Sequence, residues 1–509
     1  MPMRPNQFSM LQFAFAVAAF SLPAMADSLA GQGSSDSLTV ERARPGSVNA
    51  VRLAAAAGDA LPKSKDALFD DDAAEPAEVP ATRDSLFDDD ESSKAQKPAV
   101  GGRSAPAAPA GIRGFVQNEM AYTVAKPRHW SGMMTRADVT AQGNLASNVK
   151  WKLGARVDYD ANYALTDYYP HAVAHDQRAN VLLRENYVDI GAGDWDFRLG
   201  RQHVVWGEMV GLFFADVVSA RDTRQFILPE FDILRIPQWA ARAEYFRDDF
   251  HAEFLWIPVP SYDEIGKPYS EFFAHTLVPP GSAVFRNEKR PSRSLSHTNY
   301  GLRLSVLRDG WDLAAFAYSS MNVAPTFYRQ NVANAQPTLV YQGRHERIDQ
   351  FGATLGKDLG YVVIKAEAVY TRGQRYEVKD FNDPDGLVRQ DTLNWILGLD
   401  YTEFTDTRIN LQLFQSHVID HNSAIIPDRN ENGFSVLFNR KFGDRVEAQA
   451  LWIASLNRTD WLLRPRVLWN FEKNWRLALG ADVFKGPALG FFGRYDAKDR
   501  VYTELRYSF

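Results

Sequence analysis

The 509-residue chain has no cysteine. Disulfides therefore contribute nothing to its stability, and anchoring through a lipidated N-terminal cysteine is excluded. Past the N-terminal leader no apolar run approaches the roughly 20 residues that a membrane-spanning helix needs. A dominant charge sign is missing too: 57 Lys and Arg against 63 Asp and Glu leave a net charge of -6. A polyanion conduit or a nucleic-acid surface would be far more basic, so no nucleic-acid partner is expected. The mean hydropathy of -0.33 reads as that of an ordinary soluble protein. That average hides one architecture, because in a transmembrane β-barrel lipid-facing and lumen-facing residues alternate and cancel.

What is present begins with an export signal. Met1 to Asn6 carry one cation, Arg4, an apolar stretch follows from Leu11 to Leu22, and Ala24-Met25-Ala26 offers a small-residue cleavage site before Asp27. Residues 1–26 are thus expected to be a signal peptide. From 27 to 110 the chain is rich in Ala, Pro, Ser and Asp and nearly free of aromatics. Such a segment buries too little apolar surface to offset its ordering entropy and is expected to be a disordered acidic periplasmic segment. It holds a repeat, Leu68-Phe69 and Leu86-Phe87, each pair followed by three aspartates. As a linear motif these pairs would dock in a groove on a periplasmic protein; the plainer reading is a solubilising spacer.

From 111 to 509 the pattern changes to two-faced segments of about ten residues. Trp151, Leu153, Ala155, Val157 and Tyr159 alternate with Lys152, Gly154, Arg156 and Asp158, and Leu393 to Tyr401 and Trp475 to Val483 repeat the pattern. Short polar turns alternate with long connections. The last ten residues, Arg500 to Phe509, form a complete two-faced strand ending on an aromatic, as a barrel needs to seal its first strand and as its assembly machinery would engage. The spacing predicts an all-β fold: a transmembrane antiparallel β-barrel of about 18 strands in the outer membrane of a Gram-negative bacterium. The even count puts both termini in the periplasm. The 13% aromatic content suits interfacial girdles.

If the apolar faces meet lipid, the opposite faces line the pore. They carry Arg136, Asp138, Arg156, Asp158, Arg198, Arg242, Glu244, Glu253, Arg303, Lys365, Glu367, Glu447, Arg464, Arg466, Arg476, Glu504 and Arg506. Most are expected to pair across strands; those left over would set selectivity, and Arg464 and Arg466, with Arg476 and Arg506, form the densest positive spot. The connection from Trp206 to Trp239 is long and unusually apolar, containing Phe213, Phe214, Phe226 and Phe231. It is expected either to fold into the barrel as a constriction or to cap its mouth, with Phe272, Phe273 and Phe285 joining that cap.

The stretch Leu183-Arg184-Glu185-Asn186-Tyr187-Val188-Asp189, with Phe197-Arg198-Leu199-Gly200-Arg201-Gln202-His203-Val204-Val205-Trp206-Gly207-Glu208 and Phe491-Phe492-Gly493-Arg494-Tyr495, resembles a group of uncharacterised proteobacterial porin-like outer-membrane barrels. Alginate-export barrels are a more distant likeness, and their strongly basic lumen is absent here. The resemblance covers about 111 to 509 and implies an 18-strand-class barrel that works beside exporters of hydrophobic compounds. On it Arg201, Gln202, Trp206 and Glu208 would organise the inward loop, or simply anchor a strand end.

Nucleophile elbows, metal-binding helices and phosphate loops are missing. Ser416 and His417 are adjacent in a strand and point to opposite faces, and His171 and His175 lack a third ligand. No enzymatic activity, cofactor or metal is expected. The sequence reads as a channel for small amphiphilic or hydrophobic solutes, coupled through its tail to a periplasmic or inner-membrane exporter. The alternative is a surface-binding barrel working through its outer loops.

Overall fold

The computed structural model describes residues 38–41, 111–207, 209, 214–273, 282–332, 338–401 and 403–509. The expected leader, Leu68, Phe69, Leu86, Phe87, Glu208 and Phe213 lie outside the described residues.

Eighteen antiparallel strands close into a barrel. They are β1 Gly111–Thr123, β2 His129–Ala146, β3 Val149–Asp160, β4 Ala179–Ala192, β5 Trp195–Gln202 and β6 Gln238–Arg247. The wall continues through β7 Phe250–Val259, β8 Asn299–Arg308, β9 Trp311–Met321, β10 Arg347–Asp358, β11 Val362–Glu377 and β12 Leu387–Tyr401. It ends with β13 Thr407–Ile419, β14 Asn430–Phe442, β15 Val446–Ser455, β16 Trp461–Glu472, β17 Trp475–Lys485 and β18 Arg500–Ser508. The terminal strand seals the first, registered from Phe115 against Ser508 to Thr123 against Arg500. Gly114 and Phe509 exchange both backbone bonds at 2.9 Å, so the sheet has no open edge.

Alternation decides which way each side chain points. Leu153, Phe254, Leu413 and Leu479 are exposed on the outer surface, each more than half accessible, while Arg156, Glu253, Gln412 and Ala478 are buried inside. An outward belt of this kind belongs in hydrocarbon. Trp195, Trp311, Tyr361, Phe442 and Trp475 ring the end with short turns, and Tyr159, Trp239, Trp256 and Tyr300 ring the other. At the short-turn end Asp309 and Gly310 take φ of 52° and 72°, the left-handed pair that lets two residues reverse a hairpin.

Leu38–Glu41 forms a short strand antiparallel to Ser282–Phe285. The long connections also build more structure than a simple cap. Thr326–Val332 and Thr338–Arg344 make a hairpin with Ser282–Lys289 beside it. Phe273 and Phe285 pack there with Phe327 and Tyr341, while Phe272 packs with the inward loop.

Candidate functional site

The described residues of the connection 203–237, between β5 and β6, fold into the barrel rather than over its mouth. An apolar chain of this length exposed to water would forfeit the burial that its Phe, Ile and Leu side chains gain against the wall. Its base is pinched where Ala220–Arg221 pairs antiparallel with Arg235–Ile236. Arg201 and Gln202 are the last residues of β5, registered against Trp239 and Gln238. Gln238 ties the first limb to the connection after β7, donating to the Val218 and Ser261 carbonyls at 3.2 Å.

The wall grips this loop on opposite sides. On one side Trp206 is buried against Phe316 and Tyr318, with ring centroids 5.1 and 5.6 Å away, and its indole N–H donates to Glu253 at 2.9 Å. Beyond it, Glu367 accepts the backbone N–H groups of Met209 and Ala215, each at 2.9 Å. Phe214 packs against Phe414 of β13. At the far side Arg464 of β16 donates to the carbonyls of Ile227 and Leu228 at 3.3 and 2.6 Å. The return limb is tied by Arg156, which donates to the Ile233 carbonyl at 2.9 Å, and by Arg184, which donates to the Arg235 carbonyl at 2.8 Å. Groups from β3, β4, β7, β11, β13 and β16 thus hold one loop, which therefore crosses the lumen.

The tip of the loop is apolar. Phe226, Ile227, Leu228, Phe231 and Leu234 bury themselves against inward-facing Leu451, Ile453, Leu462 and Phe484. Phe226 has a φ of 56°, a left-handed conformation costly for a bulky residue. Rings of Phe272, Phe484, Phe491, Phe492 and Tyr495 surround it at 4.7 to 6.3 Å. Packing of that density can hold a strained backbone. Phe231 carries the Arg235 guanidinium over its face at 3.7 Å.

The residues expected to line the pore fall on the inner face, and most have partners. Arg136 and Arg156 share Asp158 at 2.9 and 3.2 Å. Arg198 forks onto Asp189 at 2.7 and 2.8 Å, Arg242 meets Glu244 at 2.8 Å, and Lys365 lies 3.7 Å from Asp400. Arg303 donates to Ser305 at 3.3 Å. Arg464 and Arg500 share Asp482, both at 2.8 Å.

The charge at the tip was not singled out in the sequence. Glu230 sits 3.0 Å from Arg476, 3.0 Å from Arg506 and 3.7 Å from Arg466. Burial opposes its ionisation, but these guanidiniums outweigh that and hold its carboxyl well below the usual carboxylate range. Arg476 also meets Glu504 at 2.8 Å. An acid that follows Pro229 and interrupts the apolar run from Phe226 to Phe231 was the available signal. Beside this cluster a small polar cavity of about 20 Å³ opens among Arg136, Glu230, Arg466, Arg500 and Glu504, room for about one water.

Solved structures similar to this one include OccAB1 of Acinetobacter baumannii, 9% identical with a TM-score of 0.48 over 78% of this chain and 95% of that one. OccK8 (OprE) of Pseudomonas aeruginosa is 9% identical with a TM-score of 0.46, over 79% and 97%. Salmonella typhi OmpF, solved in complex with daunomycin, is 11% identical with a TM-score of 0.40, over 79% and 97%. No curated protein sequence matches. A family model does match, over residues 128–509, from within the first interstrand connection to the terminal Phe; the chain belongs to DUF1302, a family described as of unknown function.

Proposed function

We propose that this protein is an outer-membrane channel for small amphiphilic or hydrophobic solutes, with loop 203–237 as its constriction. The observation that carries the reading is the seam between the loop tip and the apolar patch of the inner wall at Leu451, Ile453, Leu462 and Phe484. A solute with an apolar body loses little on entering such a seam, whereas a sugar would shed hydration without recovering its hydrogen bonds. Planar-bilayer recording tests this. Wild type should open rarely and deletion of 210–235 should open it wide, with heat-modifiable gel mobility confirming a folded barrel. Silence in both proteins would replace the channel with a surface-binding barrel.

Both barrel termini lie at the short-turn end, which on this reading faces the periplasm. The natural absence of cysteine makes the orientation simple to measure. Ser292→Cys, in a long connection, should react with an impermeant maleimide on intact cells, and Lys473→Cys, in a short turn, only after permeabilisation. The reverse pattern overturns the orientation. The tail then carries Leu68-Phe69 and Leu86-Phe87 to a periplasmic partner, which couples the barrel to an exporter. Phe69→Ala with Phe87→Ala should leave insertion intact and weaken co-purification of that partner; unchanged recovery removes the idea.

A further inference from the structure

Glu230 is a carboxylate on the inward loop, held by arginines that belong to the barrel wall. Arg466 is on β16, Arg476 on β17 and Arg506 on β18, three adjacent strands. With the loop seated, those arginines face the carboxylates of Glu230 and Glu504. Without Glu230, Glu504 is the one carboxylate within salt-bridge distance of these arginines among the described residues, and three guanidiniums face it in a site mostly shielded from water. The cradle also has donors to spare: Nη2 of Arg466, Nε of Arg476 and Nε of Arg506 are buried and make no hydrogen bond among the described residues. Next to the carboxylate, Leu228 and Phe231 of the loop lie in the apolar cluster with Leu451 and Leu462 of the wall.

We infer that the wall cradle of Arg466, Arg476 and Arg506 is a binding site for an amphiphilic monocarboxylate, and that Glu230 is its built-in competitor. The solute's carboxylate takes the place of Glu230 on the arginines, and its apolar body takes the place of Leu228 on the wall. Displacement frees the loop tip and opens the constriction. One ionised carboxylate replaces another, so the exchange leaves the electrostatic balance nearly unchanged. The solute must outcompete a tethered group whose effective concentration is on the order of millimolar. An apolar body larger than the leucine supplies that advantage. A neutral or cationic head cannot use the cradle, because it would leave the guanidiniums unpaired in a buried site.

This inference rests on the channel reading for its consequence, but the site can be tested without conduction. The full-length protein in detergent is titrated by calorimetry with 4-phenylbutyrate, 4-phenylbutanol and 4-phenylbutylamine, which share one apolar body and differ in head charge. The carboxylate should bind at least 10-fold tighter than the other two. Glu230→Gln should tighten it at least 10-fold further by removing the competitor, and Arg466→Gln with Arg506→Gln should abolish the preference. Equal binding of the three probes by wild type, which needs no variant to fold, overturns the site. So does an unchanged affinity in a folded Glu230→Gln. Selective binding in a protein that never conducts would sink the channel reading and leave the site standing. Conduction indifferent to the head group would do the opposite.

Discussion

Glu367 on β11 accepts the backbone N–H of Ala215, 152 residues earlier in the chain, at 2.9 Å, and the N–H of Met209 at the same distance. One carboxylate thereby holds the inward loop at two points. Hydrogen bonds to a charged acceptor contribute about 1.5–3 kcal/mol each. Glu367→Ala removes both and should loosen the loop from β11. The expected result is faster proteolysis of the loop and a raised single-channel conductance; a loop as resistant as in wild type would show that apolar packing alone holds it.

Trp206 lies beneath Gly301 on β8. A Cβ added at Gly301 would come within 2.6 Å of the Trp206 ring and 2.8 Å of Tyr318. Gly301→Val should therefore push Trp206 off Glu253 and destabilise the folded barrel by about 1–3 kcal/mol, as overpacking typically does. Trp206→Ala, which empties the same space, should cost about 3–5 kcal/mol. Guanidinium unfolding in detergent reads both, and a Gly301→Val protein as stable as wild type would contradict this packing.

The contact of Glu230 with its arginines has a definite pH dependence. Its carboxyl titrates well below the usual range in the folded protein, so its stabilising effect is complete above an ordinary carboxylate pKa and is lost only as pH falls through the lower folded value. Lowering the pH from 7 to 5 should leave the loop seated, with no increase in conductance. Opening between pH 6 and 5 would show that Glu230 is not the controlling group.

Glu271, in the connection after β7, gathers three chain segments. It accepts from Thr123 at 2.9 Å, Tyr169 at 2.7 Å and Lys498 at 3.1 Å, and lies 2.8 Å from His129. Burial opposes its charge, but the hydrogen bond from His129 and the charge of Lys498 bring its carboxyl down to about 2. The tie should survive to pH 4 and fail as pH approaches 2. Glu271→Ala leaves Tyr169 and Lys498 without their partner and should expose the long connections to added protease at neutral pH, while the barrel wall stays intact.

Much of this architecture is legible in the order of residues. A strand that must face lipid on one side and a wet interior on the other writes itself as alternation, so residues such as Leu153 and Arg156 declare their faces locally, and the sealing of β1 by β18 follows from a chain that ends on a complete two-faced strand. The apolar loop after Trp206 was equally visible, because water does not tolerate it. Whether it entered the lumen or capped it was not, since that choice depends on inward-facing residues from strands far apart in the chain, such as Glu253, Glu367 and Arg464. Glu230 was unremarked for the same reason. A single acid has no periodicity, and its arginines lie more than 230 residues away. Alternation along a strand is a local constraint that sequence alone determined; which side chains face one another across a closed cylinder is set by closure and shear, and only the tertiary structure decided it.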